Sequence, residues 1–189
     1  MPKFFYKDIE LEVPEGVYEP REDTILLADL LVKEKPGKAL EIGCGSGLLS
    51  IILARNGSDV TAIDIEPRAV EATKRNAEKS GLKVNAFVSD LFEKVEGKFD
   101  LIVFNPPYLR DEISKESRAW AAGKGLEVVR EFVSNAREHL EERGKVWVVI
   151  SSLTGKEEVE GLLRKQGFEV RVIAQKKVPW ETLFVLEAR

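Results

Sequence analysis

The chain has 189 residues, of which 43% are hydrophobic and 33% charged, and its formal net charge is −4. This composition indicates one globular domain and excludes a disordered chain, and the acidic balance argues against a nucleic-acid-binding surface. A single cysteine, Cys44, and a single histidine, His139, exclude an internal disulfide and argue against a metal site within the chain.

No part of the sequence resembles a membrane anchor or a secretion signal. Its apolar stretches fall short of the ~20 residues that span a bilayer, and the N-terminus lacks the apolar core of a signal peptide. Together with the single cysteine, these features predict a cytoplasmic protein that does not enter a membrane.

The first half of the chain alternates between helical and extended patterns. Its predicted elements are a helix over 24–33, a strand over 38–42, a helix over 47–54, a strand over 59–63, a helix over 67–80 and a strand over 83–88. In the last of these, Val84, Ala86 and Val88 alternate with polar residues, which is typical of a half-exposed or edge strand.

The second half continues the alternation and ends differently. It predicts a strand over 99–104, a helix over 126–140, a strand over 145–150, a helix over 156–166, and strands over 168–174 and 183–186. The strand over 99–104 is apolar on both faces and should be central. The last two strands have no helix between them, which indicates one antiparallel strand. We therefore predict a seven-stranded, mostly parallel Rossmann-like α/β fold with helices on both faces. It forms a single domain over 1–189, and residues 1–22 are an extension that contributes to the site.

A glycine-rich turn follows the first predicted strand and leads into a helix. Glycines at 43, 45 and 47 let the backbone adopt positive φ and approach a ligand closely, and a helix N-terminus presents free N–H groups. Glu41 precedes the turn, where an acid suits a cationic ligand better than a pyrophosphate. Cys44 is interpreted as a small filler of the turn.

Carboxylates follow the next two predicted strands. Asp64 stands about 20 residues after the glycine turn, the spacing at which a carboxylate accepts from ribose hydroxyls. Asp90 could accept from an adenine amino group, and Leu91 could pack on the ring. The order of these residues indicates a nucleoside-containing cofactor with a positive charge; a generic nucleotide fold that uses another cofactor remains the alternative.

The predicted central strand ends in Asn105-Pro106-Pro107-Tyr108. The prolines fix the backbone and supply no N–H donor, so the acceptors that remain are the Asn105 side-chain oxygen and the backbone carbonyls. With an aromatic ring beside them, these acceptors suit a planar NH2 group. The simpler alternative is a rigid turn at the end of a strand.

This tetrapeptide resembles the Asn-Pro-Pro-Tyr motif of S-adenosylmethionine (SAM)-dependent methyltransferases that modify amide or exocyclic amino nitrogens. Two further segments resemble the release-factor glutamine methyltransferase family. Residues 16–24 are similar to the element before the SAM fold, and residues 119–125 to a Trp-Ala-Gly-Gly-x-x-Gly stretch, with Ala122 where a glycine is common. The likeness extends from about Tyr18 to Glu187 and fits the short archaeal and eukaryotic branch. It implies a class I methyltransferase fold with strand order 3-2-1-4-5-7-6.

The resemblance also implies a set of site residues. The catalytic residues would be Asn105, Pro106 and Tyr108, and the substrate-binding residues would be Asn105, Pro106, Pro107, Tyr108 and Trp120. SAM would be bound by Tyr18, Pro20, Asp23, Thr24, Glu41, Gly43, Gly45, Gly47, Asp64, Ile65, Asp90, Leu91 and Asn105. Asp23 or Thr24 could alternatively cap the first helix, and Trp120 could be a loop anchor or a core residue.

The substrate implied is the glutamine of the Gly-Gly-Gln loop in a class I release factor. The branch works with a small zinc-binding activator subunit, and the predicted edge strand over 83–88 is a place where a partner could add a strand. The sequence leaves open an adenine-N6 methyltransferase acting on DNA or RNA, a protein lysine methyltransferase, and a SAM-binding scaffold without chemistry.

Overall fold

The computed structural model describes residues 2–107 and 125–189. The described strands are β1 (Lys3–Tyr6), β2 (Ile9–Glu12), β3 (Lys38–Ile42), β4 (Asp59–Asp64), β5 (Asn85–Val88), β6 (Phe99–Phe104), β7 (Leu140–Ser151), β8 (Val170–Val178) and β9 (Glu181–Ala188). The described α-helices are α1 (Glu22–Leu31), α2 (Leu48–Arg55), α3 (Pro67–Lys79), α4 (Leu126–Ala136) and α5 (Lys156–Lys165).

Seven strands form one sheet in the order β5-β4-β3-β6-β7-β9-β8. The neighbours from β5 through β7 pair in parallel, whereas β9 pairs antiparallel with both β7 and β8. When the strands of this sheet are counted along the chain from β3, the order is 3-2-1-4-5-7-6. The structure thus confirms the predicted fold class, including its one antiparallel strand.

The central strand β6 is buried on both faces, as its apolar sequence predicts. Ile102 and Phe104 pack with α4 and α5 in one apolar cluster, whereas Leu101 and Val103 pack with α1 and α2 in the other. Helices therefore cover both faces of the sheet, which leaves the strand ends as the place for a ligand. None of the described helices is long and apolar enough to cross a bilayer.

Residues 3–12 form a hairpin outside the main sheet, which the sequence patterns did not predict. Its strands have four residues each and pair antiparallel across a turn in which Lys7 has a φ of 52°. Ile9 and Leu11 are buried in the same cluster as α1 and α2. Strands this short carry little periodic signal, so the hairpin emerges only from its packing.

Several boundaries differ from the prediction. Helix α1 begins at Glu22, and its N-cap position is Arg21 without a side-chain cap bond, so neither Asp23 nor Thr24 caps it. Strand β7 begins at Leu140, where its pairing with β6 includes a register shift after Phe99. Strands β8 and β9 are longer than predicted because they form a tight hairpin that extends beyond the body of the sheet.

Candidate functional site

A cavity of about 670 Å³ lies at the carboxyl ends of the parallel strands. It is lined by residues that follow β3, β4, β5 and β6, by the segment leading into α1, and by the turn between β8 and β9. The connections of β3 and β6 leave the sheet in opposite directions, so the cavity lies at the topological switch point where ligands bind in open α/β sheets.

Backbone geometry shapes the glycine turn at the floor of the cavity. The N–H groups of Gly43 and Cys44 both donate to the Ile63 carbonyl, at 2.8 and 2.9 Å, which ties the turn to the end of β4. Gly43 and Gly45 have φ values of 71° and 53°. Only glycine adopts such angles without strain, so the turn can bring bare backbone to the ligand.

Helix α3 holds the same turn from behind. Thr73 Oγ1 donates to the Gly45 carbonyl at 3.1 Å, and Asn76 Nδ2 donates to the Ser46 carbonyl at 2.9 Å. Gly47 has a φ of 88°, and a side chain there would meet the Thr73 backbone at 3.0 Å. Gly47 does not line the cavity. Its positive φ and its close approach to Thr73 shape the turn and its packing.

Asp64 is fixed by two backbone donors. Gly45 N–H donates to Oδ2 and Glu66 N–H donates to Oδ1, each at 3.0 Å. Burial nevertheless raises the pKa of the Asp64 carboxyl above its usual range, against the effect of these donors. A carboxylate oxygen accepts more than one hydrogen bond, so Asp64 retains acceptor capacity for hydroxyl groups in the cavity.

Glu41 is a buried acid beside the turn. It is 3% exposed and accepts a hydrogen bond from Ser50 Oγ. Burial raises the pKa of the Glu41 carboxyl to about 8, although the bond from Ser50 opposes the rise. A carboxyl group held in such an environment is stabilised as an anion by a cationic ligand.

A chain of three side chains sets the orientation of Asn105. Thr24 Oγ1 donates to Asp23 Oδ1 at 3.1 Å, so its oxygen is free to accept, and Asn105 Nδ2 donates to it at 3.1 Å. The amide therefore turns its NH2 group toward Thr24. Asn105 Oδ1 is buried and has no hydrogen-bond partner among residues 2–107 and 125–189. An orphaned acceptor of this kind costs about 1–3 kcal/mol, a cost that a substrate N–H group would remove.

Two strained residues line the same cavity. Leu91 has a φ of 39° and Trp180 a φ of 76°, and apart from Lys7 these are the non-glycine residues with positive φ in the described part of the chain. Such conformations cost about 1–3 kcal/mol for residues with a side chain and concentrate at functional sites.

The cavity brings together most of the side chains that the sequence singled out. Its lining includes Tyr18, Pro20, Asp23, Thr24, Glu41, Gly43, Gly45, Asp64, Ile65, Asp90, Leu91, Asn105, Pro106 and Pro107. Tyr18 donates to Asp23 at 2.8 Å, and burial and this carboxylate raise the pKa of the Tyr18 hydroxyl. Tyr108 and Trp120, which were also expected in the site, lie outside the described residues.

Sequence reasoning missed the contribution of the C-terminal hairpin. The turn between β8 and β9 adds Val178, Pro179, Trp180, Glu181 and Leu183 to the lining. The Pro-Trp pair between two extended segments was the available signal. It was overlooked because a turn position with positive φ, such as the one that Trp180 fills, is normally recognised by a glycine or asparagine.

The described lining of the cavity is strongly acidic. It contains seven acidic side chains, of which Glu41 is largely protonated near pH 7, and one cationic side chain, that of Arg21. The acids are Glu22, Asp23, Glu41, Asp64, Glu66, Asp90 and Glu181. This balance favours a ligand with positive charge and disfavours phosphate groups.

Comparison with known proteins matches residues 21–178 to the family of the methyltransferase small domain. A Methanocaldococcus jannaschii protein, provisionally named a protein N5-glutamine methyltransferase, is 42% identical over 187 residues, with 95% of each chain covered. The release factor glutamine methyltransferase of Streptococcus pneumoniae is 33% identical over 180 residues; the match covers 87% of this chain and 64% of that enzyme.

Two other likenesses bear on the substrate. The ribosomal RNA small subunit methyltransferase C of Haemophilus influenzae is 31% identical over 165 residues, but the match covers only 46% of that enzyme. Among solved structures, the E. cuniculi Mtq2–Trm112 complex, described as responsible for methylation of the eRF1 translation termination factor, superposes with a TM-score of 0.72. It is 25% identical, and the match covers 92% of this chain and 98% of that one.

Proposed function

Because the chain belongs to the methyltransferase small domain family, in its release factor glutamine methyltransferase branch, we propose that it methylates the glutamine of the Gly-Gly-Gln loop in a class I release factor. The methyl donor in this proposal is SAM, and the modified atom is the N5 nitrogen of the glutamine side chain. Release factors act in translation, so the proposal places the enzyme in the cytoplasm.

The observation that carries this proposal is the unpartnered Oδ1 of Asn105. Pro106 and Pro107 follow it, and these two residues add carbonyl acceptors but no N–H donors. A primary amide has two N–H bonds in one plane, and we assign one to Asn105 Oδ1 and the other to the Pro106 carbonyl. Tyr108 is assigned to stack on that plane.

The residues around the glycine turn fit SAM as the bound cofactor. Glu41 suits the positively charged methionine portion of SAM, and Asp64 suits the ribose hydroxyls. Asp90, Ile65 and Leu91 suit the adenine. When bound, SAM supplies an electrophilic methyl group on a sulfonium. The chain's own contribution is to align the amide nitrogen with that methyl group and to stabilise the positive charge that develops on the nitrogen.

The test is methylation of the release factor in the presence of labelled SAM, with mass spectrometry to locate the methyl group. We expect it on the glutamine of the Gly-Gly-Gln loop. In the Asn105→Ala variant, kcat should fall about 100-fold while SAM affinity changes little, because the lost acceptor acts on the substrate. A methyl group on lysine, or an Asn105→Ala enzyme with the kcat of the original, would contradict the proposal.

A nucleic-acid substrate is the second candidate, favoured by the likeness to a ribosomal RNA methyltransferase. Adenine N6 is also a planar NH2 group, so the acceptors at Asn105 would accept it equally well. The acidic side chains in the described part of the lining weigh against it, because a base must enter with its phosphates. Parallel assays with ribosomal RNA, tRNA and DNA decide between the two substrates.

The proposal includes a heterodimer with a small zinc-binding activator subunit at residues 83–88. Strand β5 is one edge of the sheet and begins at Asn85, two residues later than predicted, so Val84 lies just before it. Val84, Phe87 and Val88 are half-buried and pack in part against the apolar clusters of the domain. An edge strand with apolar side chains can accept a further strand from a partner.

Charge at this edge tests the contact. We expect Val84→Glu to weaken binding of the activator at least about 10-fold, because association would bury the new carboxylate. Val172→Glu is the matched control, since Val172 is 41% exposed on β8 at the opposite edge. Equal loss of binding in both variants, with SAM binding intact, would place the activator elsewhere.

A further inference from the structure

The turn between β8 and β9 carries an exposed tryptophan ring on a residue with an unfavourable backbone conformation. Val178 pairs with Glu181, so the turn consists of Pro179 and Trp180 alone. Trp180 is 74% exposed and has a φ of 76°, where glycine or asparagine is the usual residue. Neither burial nor backbone preference explains a tryptophan here, which points to a role outside the fold.

The hairpin that carries Trp180 is anchored to the end of β7. Ser151 Oγ donates to the Glu181 carboxylate, Ser152 N–H donates to the Thr182 carbonyl at 2.8 Å, and Thr182 N–H donates to Ser152 Oγ at 3.0 Å. These bonds act directly behind the tip and limit its movement. The backbone that carries Trp180 is therefore fixed beside the cavity, whose lining includes Trp180.

Sheet topology places that wall on the same edge as the reacting group. Strand β9 runs antiparallel to β7, so its first residue lies at the carboxyl ends of β6 and β7. Strand β9 is two strands away from β6, a lateral distance of about 10 Å. Trp180 also stands three residues beyond Leu183, which pairs with Ser151. It thus lies to the side of the Asn105 end of β6, which suits contact with what flanks the reacting group.

We propose that Trp180 is a substrate-docking residue that packs on the polypeptide beside the methylated glutamine. This inference rests on the proposed function. Glycine peptides carry no side chain, so their planar backbone can lie flat against an indole ring. The described cavity lining, with seven acidic side chains against Arg21, disfavours the alternative of a nucleobase stacked on the same ring, because its phosphates would be repelled.

The experiment compares Trp180→Ala, Trp180→Gly and Trp180→Tyr in the full chain, with its activator, on the release factor. For the alanine and glycine variants we expect the KM for the release factor to rise about 10-fold, with kcat and SAM affinity unchanged. Tyrosine retains a flat ring and should keep most of the affinity. Trp180→Gly should also melt no lower than the original protein, because glycine tolerates this φ.

Phe5→Ala is the matched control, since Phe5 is 62% exposed on the N-terminal hairpin and does not line the cavity. An unchanged KM in Trp180→Ala on an active enzyme overturns the docking role and leaves the proposed function standing. If the wild-type enzyme does not methylate the release factor, both the docking role and the proposed function are overturned. If the KM rises only for an RNA or DNA substrate, Trp180 contacts a base and not a polypeptide, and the docking proposal is wrong.

Discussion

At the scale of single residues, the site depends on the direction of one amide. Asp23 accepts from Thr24, and Thr24 accepts from the Asn105 amide, so the carbonyl end of Asn105 is the end without a partner in the described chain. Asn105 itself was predictable from its place before two prolines. Its link to Thr24 was not, because 81 residues separate them and only the fold brings them together.

The first prediction concerns this orientation. Thr24→Val keeps the shape of the side chain and removes the oxygen that accepts from Asn105 Nδ2. The amide can then rotate, and we expect kcat for methylation to fall about 10-fold, the value of one good hydrogen bond. Thr24→Ser restores the hydroxyl and should recover most of the rate. Equal kcat values for valine and serine at this position would show that the bond does not set the orientation.

The second prediction concerns the proton on the Glu41 carboxyl. The pKa of Glu41 is about 8 in the free protein, and a cation beside it lowers that pKa. Binding of SAM near pH 7 therefore releases a proton from Glu41, and affinity rises as the pH approaches 8 and then levels off. Calorimetric titration in two buffers of different ionisation enthalpy measures the released proton. Identical binding heats in both buffers, or the same pH dependence in Glu41→Gln, would contradict this assignment.

At the scale of elements, the site is a turn clamped between a helix and a hairpin. Asn76 on α3 accepts from the Glu12 N–H and donates to the Glu12 carbonyl, each at 2.9 Å, as well as to Ser46. One buried amide therefore joins strand β2 to the glycine turn. Strand β3, the glycine turn and helix α2 were predictable from the sequence, whereas β2 was not. Asn76 was not, because it occurs inside a helix with no motif around it.

The third prediction follows from that junction. Asn76→Ala leaves buried backbone groups of Glu12 and Ser46 without partners, so we expect a loss of about 2–4 kcal/mol in the free energy of unfolding. SAM affinity should fall as well, because the turn loses one of its supports. Asn135→Ala is the control: Asn135 is exposed, and its side-chain amide donates to the Glu131 carbonyl of the same helix at 2.8 Å. Equal denaturant midpoints for the two variants would contradict the role given to Asn76.

At the scale of the whole molecule, a single buried carboxylate ties together the last three strands. Glu187 on β9 is 2% exposed and accepts from Trp147 Nε1 on β7 at 2.9 Å and from Arg171 Nε on β8 at 2.8 Å. Arg189 Nε donates to it at 2.8 Å as well. Burial alone would raise the pKa of Glu187, but the bonds from Trp147 and Arg189 outweigh it and lower that pKa.

The fourth prediction is the resulting acid sensitivity. A lowered pKa in the folded protein means that Glu187 stabilises it above the ordinary value near 4.5, and that this stability is lost as the pH falls through the folded pKa. We expect Glu187→Gln to lower the free energy of unfolding by about 1–3 kcal/mol at pH 7. Exposed Glu142→Gln should change nothing. Denaturation curves of wild type and Glu187→Gln that stay equally far apart as the pH falls toward 2 would contradict the assignment.

The fold as a whole was largely predictable because the buried strands have dense apolar sequences and helices α3, α4 and α5 have a clear amphipathic period. The sequence also identified the side of the cavity formed by the glycine turn, the acids and the prolines, because the roles of these residue types can be inferred without the fold. The opposite wall of the cavity, formed by the turn between β8 and β9, was not predictable. Trp180 belongs to it only because β9 reverses direction and returns its first residue to the edge where Asn105 ends β6.

The antiparallel direction of β9 places the proposed substrate contact on a different part of the fold from the cofactor site. Past the Ser151–Leu183 pair, the strand pairing continues between β8 and β9 alone, and bonds from Ser151 and Ser152 hold the residues just behind the two-residue tip. Lengthening or rewriting this tip could therefore change which large molecules are accepted while the nucleoside half of the cavity stays intact. A graft of hairpin tips between methyltransferases of this architecture would exchange recognition without rebuilding the chemistry.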